Sequence, residues 1–145
     1  MVKNRSVPTD TVLPHLIYRD VAQALDWLAA AFGFVEHYRY GPPDSPQGAQ
    51  AHLGDAWVML ELARGRKTPA ELGQGTQYLS VFVVDVEAHY AWAKAAGARI
   101  VEELNDTVYG ERQYVAEDLD GHAWLFSQHI RHLDSADWGA HVAAR

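Results

Sequence analysis

Cysteine is absent from this 145-residue chain, which excludes disulfides, thiolate metal sites and cysteine nucleophiles together. Positive charge is scarce as well: 12 Lys and Arg stand against 19 Asp and Glu, a formal net charge of -7. No Lys/Arg stripe offsets that balance, so a phosphate backbone is repelled over most of the surface and nucleic acid is not an expected partner. No window approaches the roughly 20 apolar residues of a membrane span, and the opening MVKNRSVPTD leads into no apolar run. A soluble cytoplasmic protein without a membrane partner is the expectation. Also lacking are a glycine-rich phosphate loop, a GxSxG elbow and an HExxH helix. What is there, 48% hydrophobic and 21% charged residues, suits a single globular domain over 1–145.

That domain is written as a repeat. Aligning RDVAQALDWLAAAFGF with VDVEAHYAWAKAAGAR pairs Asp20 and Val21 with Asp85 and Val86, and Trp27 with Trp92, at one constant offset. Gly33 meets Gly97 within a residue of that offset, so one supersecondary unit occurs twice. In each copy a β-rich run, TVLPHLIYRD or QYLSVFVVD, ends in an Asp suited to cap the helix that follows. Val21, Ala24, Leu25, Leu28 and Phe32 recur at helical spacing, as do Val86, Tyr90, Ala93 and Ala96. Gly33 and Gly97 are the expected helix stops. Three strands follow each helix: FVEHYRY, GAQAHLG and AWVMLEL, then RIVEELND, RQYVAED and AWLFSQH, with Gly-Asp and Asp-Gly turns before each AW.

Each unit therefore reads β-α-β-β-β. Module one covers about 10–63, a linker about 64–76, module two about 77–130, and a tail 131–145 lies outside the repeat. The tail is either a short helix on the domain or a contact for a partner chain. GPPDSPQG is a loop inside module one.

Paired modules with RDVAQALDWLAAAFGF in the first and VYGERQYVAEDLDGHAWLFSQ in the second resemble the vicinal oxygen chelate superfamily of glyoxalases, extradiol dioxygenases, fosfomycin-modifying enzymes and bleomycin-resistance proteins. The wording is nearest to its small glyoxalase/bleomycin-resistance members, although the turn reads DLDG, with Leu119 where the family usually has proline. The resemblance implies an α+β fold: curved, mainly antiparallel half-sheets around a cavity, helices on the convex face, and a homodimer. Fold is better determined by it than function.

Metal-dependent members of that superfamily hold a divalent ion with one residue from the first and last strand of each module. Counting from the capping Asp and the Asp-Gly turn, those places fall on Leu13, Leu79 and Leu125, which have no lone pair to offer. Glu61 sits where a metal-dependent glyoxalase has its glutamate, while the internal repeat puts Val58 there instead. No metal cofactor is expected. The alternative is a displaced divalent-metal site built from His15, two residues beyond Leu13 on the same strand face, with Glu61 and His52.

Trp57 either lines the cavity as a stacking platform or packs under a helix, and the parity of Trp124 puts it in the core. Arg112 and Tyr114 share a strand face, either as donors inside the cavity or as an ordinary surface pair; Val115 on the other face favours the cavity. His129 with His132 is read as a solvated chain end, and Asp118 with Asp120 as turn residues; the run Arg64, Arg66, Lys67 is either a solvated linker or a cover over the pocket mouth that attracts anions. The expectation is a binding protein that sequesters a planar or aromatic small molecule, as in antibiotic resistance. Leu13, Leu79 and Leu125 would floor the pocket, with His15, Trp57, Glu61, Arg112 and Tyr114 around it. The acidic charge favours a cationic ligand. The rival is an isomerase, lyase or dioxygenase, using either a metal or His15 and Glu61 as acid and base with Arg112 and Tyr114 on the oxyanion.

Overall fold

The computed structural model describes residues 12–144; the opening MVKNRSVPTD and the expected start of module one lie outside them. Module one runs β1 (His15–Tyr18), α1 (Val21–Phe32), β2 (Val35–Tyr40), β3 (Gly48–Leu53) and β4 (Ala56–Leu62). A short α2 (Pro69–Leu72) follows, then β5 (Tyr78–Phe82), α3 (Val86–Ala95), β6 (Arg99–Asp106), β7 (Glu111–Glu117) and β8 (Ala123–His129) form module two. The sheets run β1-β4-β3-β2 and β5-β8-β7-β6. In each, the first strand is parallel to the last and the remaining pairs are antiparallel. The two β-α-β-β-β modules of an α+β fold are thus both present. No helix among the described residues is long and apolar enough to cross a membrane.

Local chemistry explains the repeated helices. Asp20 accepts the Gln23 N–H at 3.0 Å and Asp85 the Ala88 N–H at 3.1 Å, caps that contribute about 1 kcal/mol each. Gly33, at φ 83°, a conformation that favours glycine, closes α1: its N–H donates to the Ala29 carbonyl and the following Phe34 N–H to the Leu28 carbonyl. The α1 stripe Val21, Ala24, Leu25, Leu28, Ala31 and Phe32 is buried. In α3 only Val86 and Ala93 are buried; Tyr90 is half-buried and Ala96, past the helix end, is exposed. The linker is more ordered than its composition suggests: Thr68 and Glu71 exchange bonds in a capping box that starts α2. In the tail a 3-10 helix, Ser135–Trp138, sets its Trp138 ring 5.4 Å from Tyr109 of the same chain.

One core joins the modules. Phe32 of α1 packs at 4.7 Å on Phe126 and at 6.0 Å on Trp124, both from β8. Burial of each such ring contributes about 1.5–3 kcal/mol. The turn between β7 and β8 adds a polar junction. Asp118 accepts from the Tyr18 hydroxyl at 2.6 Å, the Trp124 indole N–H at 3.1 Å, and the Asp120 and His122 N–H groups at 3.0 Å each. Asp120 accepts from the Arg19 backbone and guanidinium, and His122 donates to the Ile17 carbonyl at 2.7 Å. The turn role expected for both aspartates therefore extends across the module boundary. Burial pushes the Asp118 carboxyl up, and burial first and Asp118 second push up the Tyr18 phenol.

At the other junction His89 lies between the Phe32 carbonyl, 2.8 Å away, and the Tyr114 hydroxyl, 2.6 Å away. A carbonyl only accepts, so Nε2 carries the hydrogen and Nδ1 takes the bond from Tyr114. Burial lowers the pKa of His89, opposed by the Phe32 bond.

Two predictions follow from these junctions. Gly121 has φ +87°, and a Cβ there would meet the Ala70 nitrogen at 2.6 Å, whereas Gly54, at φ +57°, faces open space. Gly121→Ala is expected to cost about 2 kcal/mol or more and Gly54→Ala about 1 kcal/mol, read from urea midpoints; equal losses would show that the linker does not press on this turn. For His89 the unfolded ring gains its proton near pH 6.5 while the folded ring resists it, so its contribution is complete above that pH and is lost as pH falls toward the depressed folded value. His89→Gln is expected to lose less stability than the native protein between about pH 7.5 and 5, above the range where the depressed carboxylates titrate. Parallel pH profiles would refute this.

Candidate functional site

Strand alternation sorts every side chain of the first sheet to one of two faces. Leu16, Tyr18, Ala49, Ala51, Val58 and Leu60 are buried on the helix side. His15, Ile17, Gly48, Gln50, His52, Trp57, Met59 and Glu61 therefore share the open face, on which β4 is central. The registers confirm the grouping, with His15 opposite Met59, Gln50 opposite Met59, and His52 opposite Trp57. Tyr38 and Tyr40 of β2 join it opposite Gln50 and Gly48. Gly48 leaves the room that the Tyr40 ring occupies; any side chain there would run into its hydroxyl.

A register shift between Glu36 and Tyr38 inserts His37 as an extra residue, and its Nδ1 meets the Gln50 oxygen at 2.5 Å. Gln50 is fully buried and its amide also points to the Met59 sulfur at 3.5 Å, with the Tyr38 hydroxyl at 3.8 Å from the same atom. Trp57 stands half-buried between two imidazoles. His52 stacks on it at 4.5 Å with planes 27° apart, and His37 meets it edge-on at 5.2 Å. The result is a floor of Met59 and Gln50 with flat aromatic walls, suited to hold a planar molecule by stacking and by a few hydrogen bonds.

At the β1 end of this face the His15 Nδ1 lies 2.6 Å from Glu61 Oε1. A carboxylate accepts, so Nδ1 is the protonated nitrogen. Both terminal nitrogens of Arg66 reach Glu61 Oε2 at 3.2 Å. The His15 bond, and after it the Arg66 bonds, hold the Glu61 carboxyl below the usual carboxylate range despite some desolvation.

A sequence model of the Glyoxalase/Bleomycin resistance protein/Dioxygenase superfamily matches residues 10–126. The chain belongs to that superfamily. It is 34% identical over 128 residues to an uncharacterized protein of Mycobacterium bovis, covering 83% of this chain and 84% of that protein. The crystal structure of TioX from Micromonospora sp. ML1 is similar at a TM-score of 0.70 and 34% identity, over 83% of this chain and 99% of the other. A fosfomycin resistance protein, FosX from Listeria monocytogenes, has a TM-score of 0.63 at 14% identity, over 84% of this chain and 94% of its own, and shares the fold.

The three leucines at the glyoxalase-type metal positions do not all lie on open faces. Leu13, just before β1, has the parity of His15, and Leu125 lies on the open face of the second sheet, opposite Val115 and Ser80. Leu79 does not. It pairs with buried Trp124 and packs on the core, so Tyr78, Ser80 and Phe82 occupy the open side of β5. Leu79 stands one residue nearer its capping Asp than Leu13 does to its own, and one residue reverses a strand's face. Trp124, fully buried on the helix side, is core as expected.

Arg112 and Tyr114 also face the helix rather than a cavity. Arg112 bonds Asp106 at 2.7 and 3.1 Å and Glu87 of α3 at 2.5 Å. Tyr114 is fully buried against His89 and Phe126, and burial pushes its phenol up. The apolar look of Val115 reversed the reading of this strand, because the core side carries the phenol. His52 does lie on the open face of the first sheet, with its Nδ1 3.1 Å from the Gly54 carbonyl. His129 stacks on Phe82 and pairs with Glu111, and His132 stands exposed beside Asp134.

The donor set does not fit a metal ion. Glu61 already has both oxygens bonded, one of them to a guanidinium that repels a dication, and no group of three His, Cys, Asp or Glu converges among the described residues. Sequence reading missed His37, Tyr38, Gln50 and Met59. The alternation of small Ala with Gln and His in GAQAHL was the available signal, and the bulge had none.

The order of causes at Glu61 gives a measurable outcome. Following its side-chain carbon by NMR titration, His15→Ala is expected to raise the Glu61 midpoint more than Arg66→Ala does. No change in either variant would mean that the pair is not formed in solution.

Proposed function

We propose that this superfamily member is a metal-free small-molecule binding protein that sequesters a planar or aromatic ligand against the open face of its first sheet. The observation that carries the reading is Trp57, half-buried and flanked by His52 and His37 above the Met59 and Gln50 floor. Sequestration needs affinity without turnover, and a resistance role suits such a face. A homodimer is part of the proposal. Tyr78 and Phe82 on the open face of the second sheet are 61% and 57% exposed, and large exposed aromatics of this kind are covered when half-sheets associate.

A second reading, metal-free acid-base catalysis, is favoured by the His15 and Glu61 pair, in which a carboxylate orients an imidazole. It has lost its expected oxyanion donors, since Arg112 and Tyr114 face α3.

A screen of planar aromatic compounds by calorimetry tests both readings. Trp57→Ala is expected to weaken the hits about tenfold or more with no turnover by either protein, and protein purified without chelator is expected to carry less than about 0.1 ion of Zn, Ni, Mn or Fe per chain. Hits indifferent to Trp57→Ala would overturn the binding face, and a stoichiometric ion lost in His15→Ala would overturn the metal-free assignment.

A further inference from the structure

The aromatic face ends at β1 in a cavity of about 370 Å³ at the seam between the modules, bounded by His15, Ile17, Lys67, Gln74, Thr76 and His122. The acids around it are already matched. Glu61 is bonded by His15 and Arg66, Asp120 by Arg19, and Glu71 by Thr68. Asp118 is bonded by Tyr18, Trp124 and two backbone N–H groups. The unmatched full charge is of the other sign. Lys67 lines the cavity and has no carboxylate within ion-pair distance among the described residues, although its charge helps to lower the nearby Glu71 carboxyl after the Thr68 bonds. In the exposed segment 74–77 neither the backbone N–H groups nor the carbonyls bond another described residue, so the full charge on Lys67 gives this wall its sign.

We propose that this seam cavity receives an anionic group of the ligand, a carboxylate, sulfonate or phosphate, while the aromatic part of the same molecule lies on Met59 and Trp57. The inference rests on the binding-face reading above and narrows its ligand class. An ammonium without an ion-pair partner on the cavity wall attracts an anion and repels a cation. The distances suit one molecule. His15 is the register partner of Met59 on the adjacent strand, about 5 Å away, and Trp57 lies two residues further along β4, about 7 Å more. A fused bicyclic acid spans that interval. The chain's net charge of -7 points to a cationic ligand, but exposed charges beyond about 10 Å are screened at ordinary ionic strength, so the groups lining the cavity decide.

The test uses two probes of one shape and opposite charge, 2-naphthoate and 2-naphthylmethylammonium, titrated calorimetrically into the full-length protein at about 0.15 M salt, where distant charges are screened. Native protein is expected to prefer the naphthoate, and Lys67→Glu to weaken it about tenfold. Arg64→Glu makes the same change in net charge at an exposed residue bonded to Gln47 outside the cavity, and is expected to have little effect. Equal or tighter binding of the ammonium probe, or equal effects of the two charge reversals, would overturn the anionic assignment. If both probes bind and both depend on Trp57, that failure leaves the binding face standing. If neither binds, or Trp57→Ala changes neither, the binding face fails and the anion subsite with it.

Discussion

A single buried carboxylate holds the two modules in register. Asp118 sits under β1, and burial alone makes its charged form costly; it is kept there by four donors, one of them the Tyr18 hydroxyl from the other module. Because those donors come from both modules, the β7–β8 turn has one geometry. Asp120 then meets Arg19, His122 meets the Ile17 carbonyl, and the Ala70 N–H of α2 meets the Asp120 carbonyl at 2.9 Å. The seam cavity owes its shape to this arrangement, since β1, the turn and the linker form its walls.

The two copies of the repeat share a framework and differ on their open faces. In the first, the outward positions carry His15, Gln50, His52, Trp57, Met59 and Glu61; in the second, β5 and β8 present Tyr78, Ser80, Phe82, Leu125 and Ser127. The helix-side positions are constrained by a common core, so both copies keep aromatic and aliphatic residues there. Open positions are free of that constraint, and the first copy has used them for stacking and hydrogen-bonding groups. A duplicated fold can therefore keep one core while its two open faces carry different side chains.

Legibility in the sequence followed the range of the interaction. Helix entry at Asp20 and Asp85 depends on a bond three residues long, and the strands after each helix begin or end within about a residue of the expected runs. Face assignment depends on what lies across the sheet, so a one-residue difference in spacing put Leu79 on the wrong side, and Val115 misled the reading of Arg112 and Tyr114. The bulge at His37 leaves no mark in composition.

By itself, then, the sequence determined the repeat, the order of elements and the helix caps, because each of these is set by residue identity or by neighbours a few positions away. Only the tertiary structure decided which face each strand turns to the helices, that His37, Gln50 and Met59 gather around Trp57, and that Lys67, His15 and His122 line one cavity. Those relations link residues far apart in the chain, and they exist only once the sheets are paired and the two modules are docked.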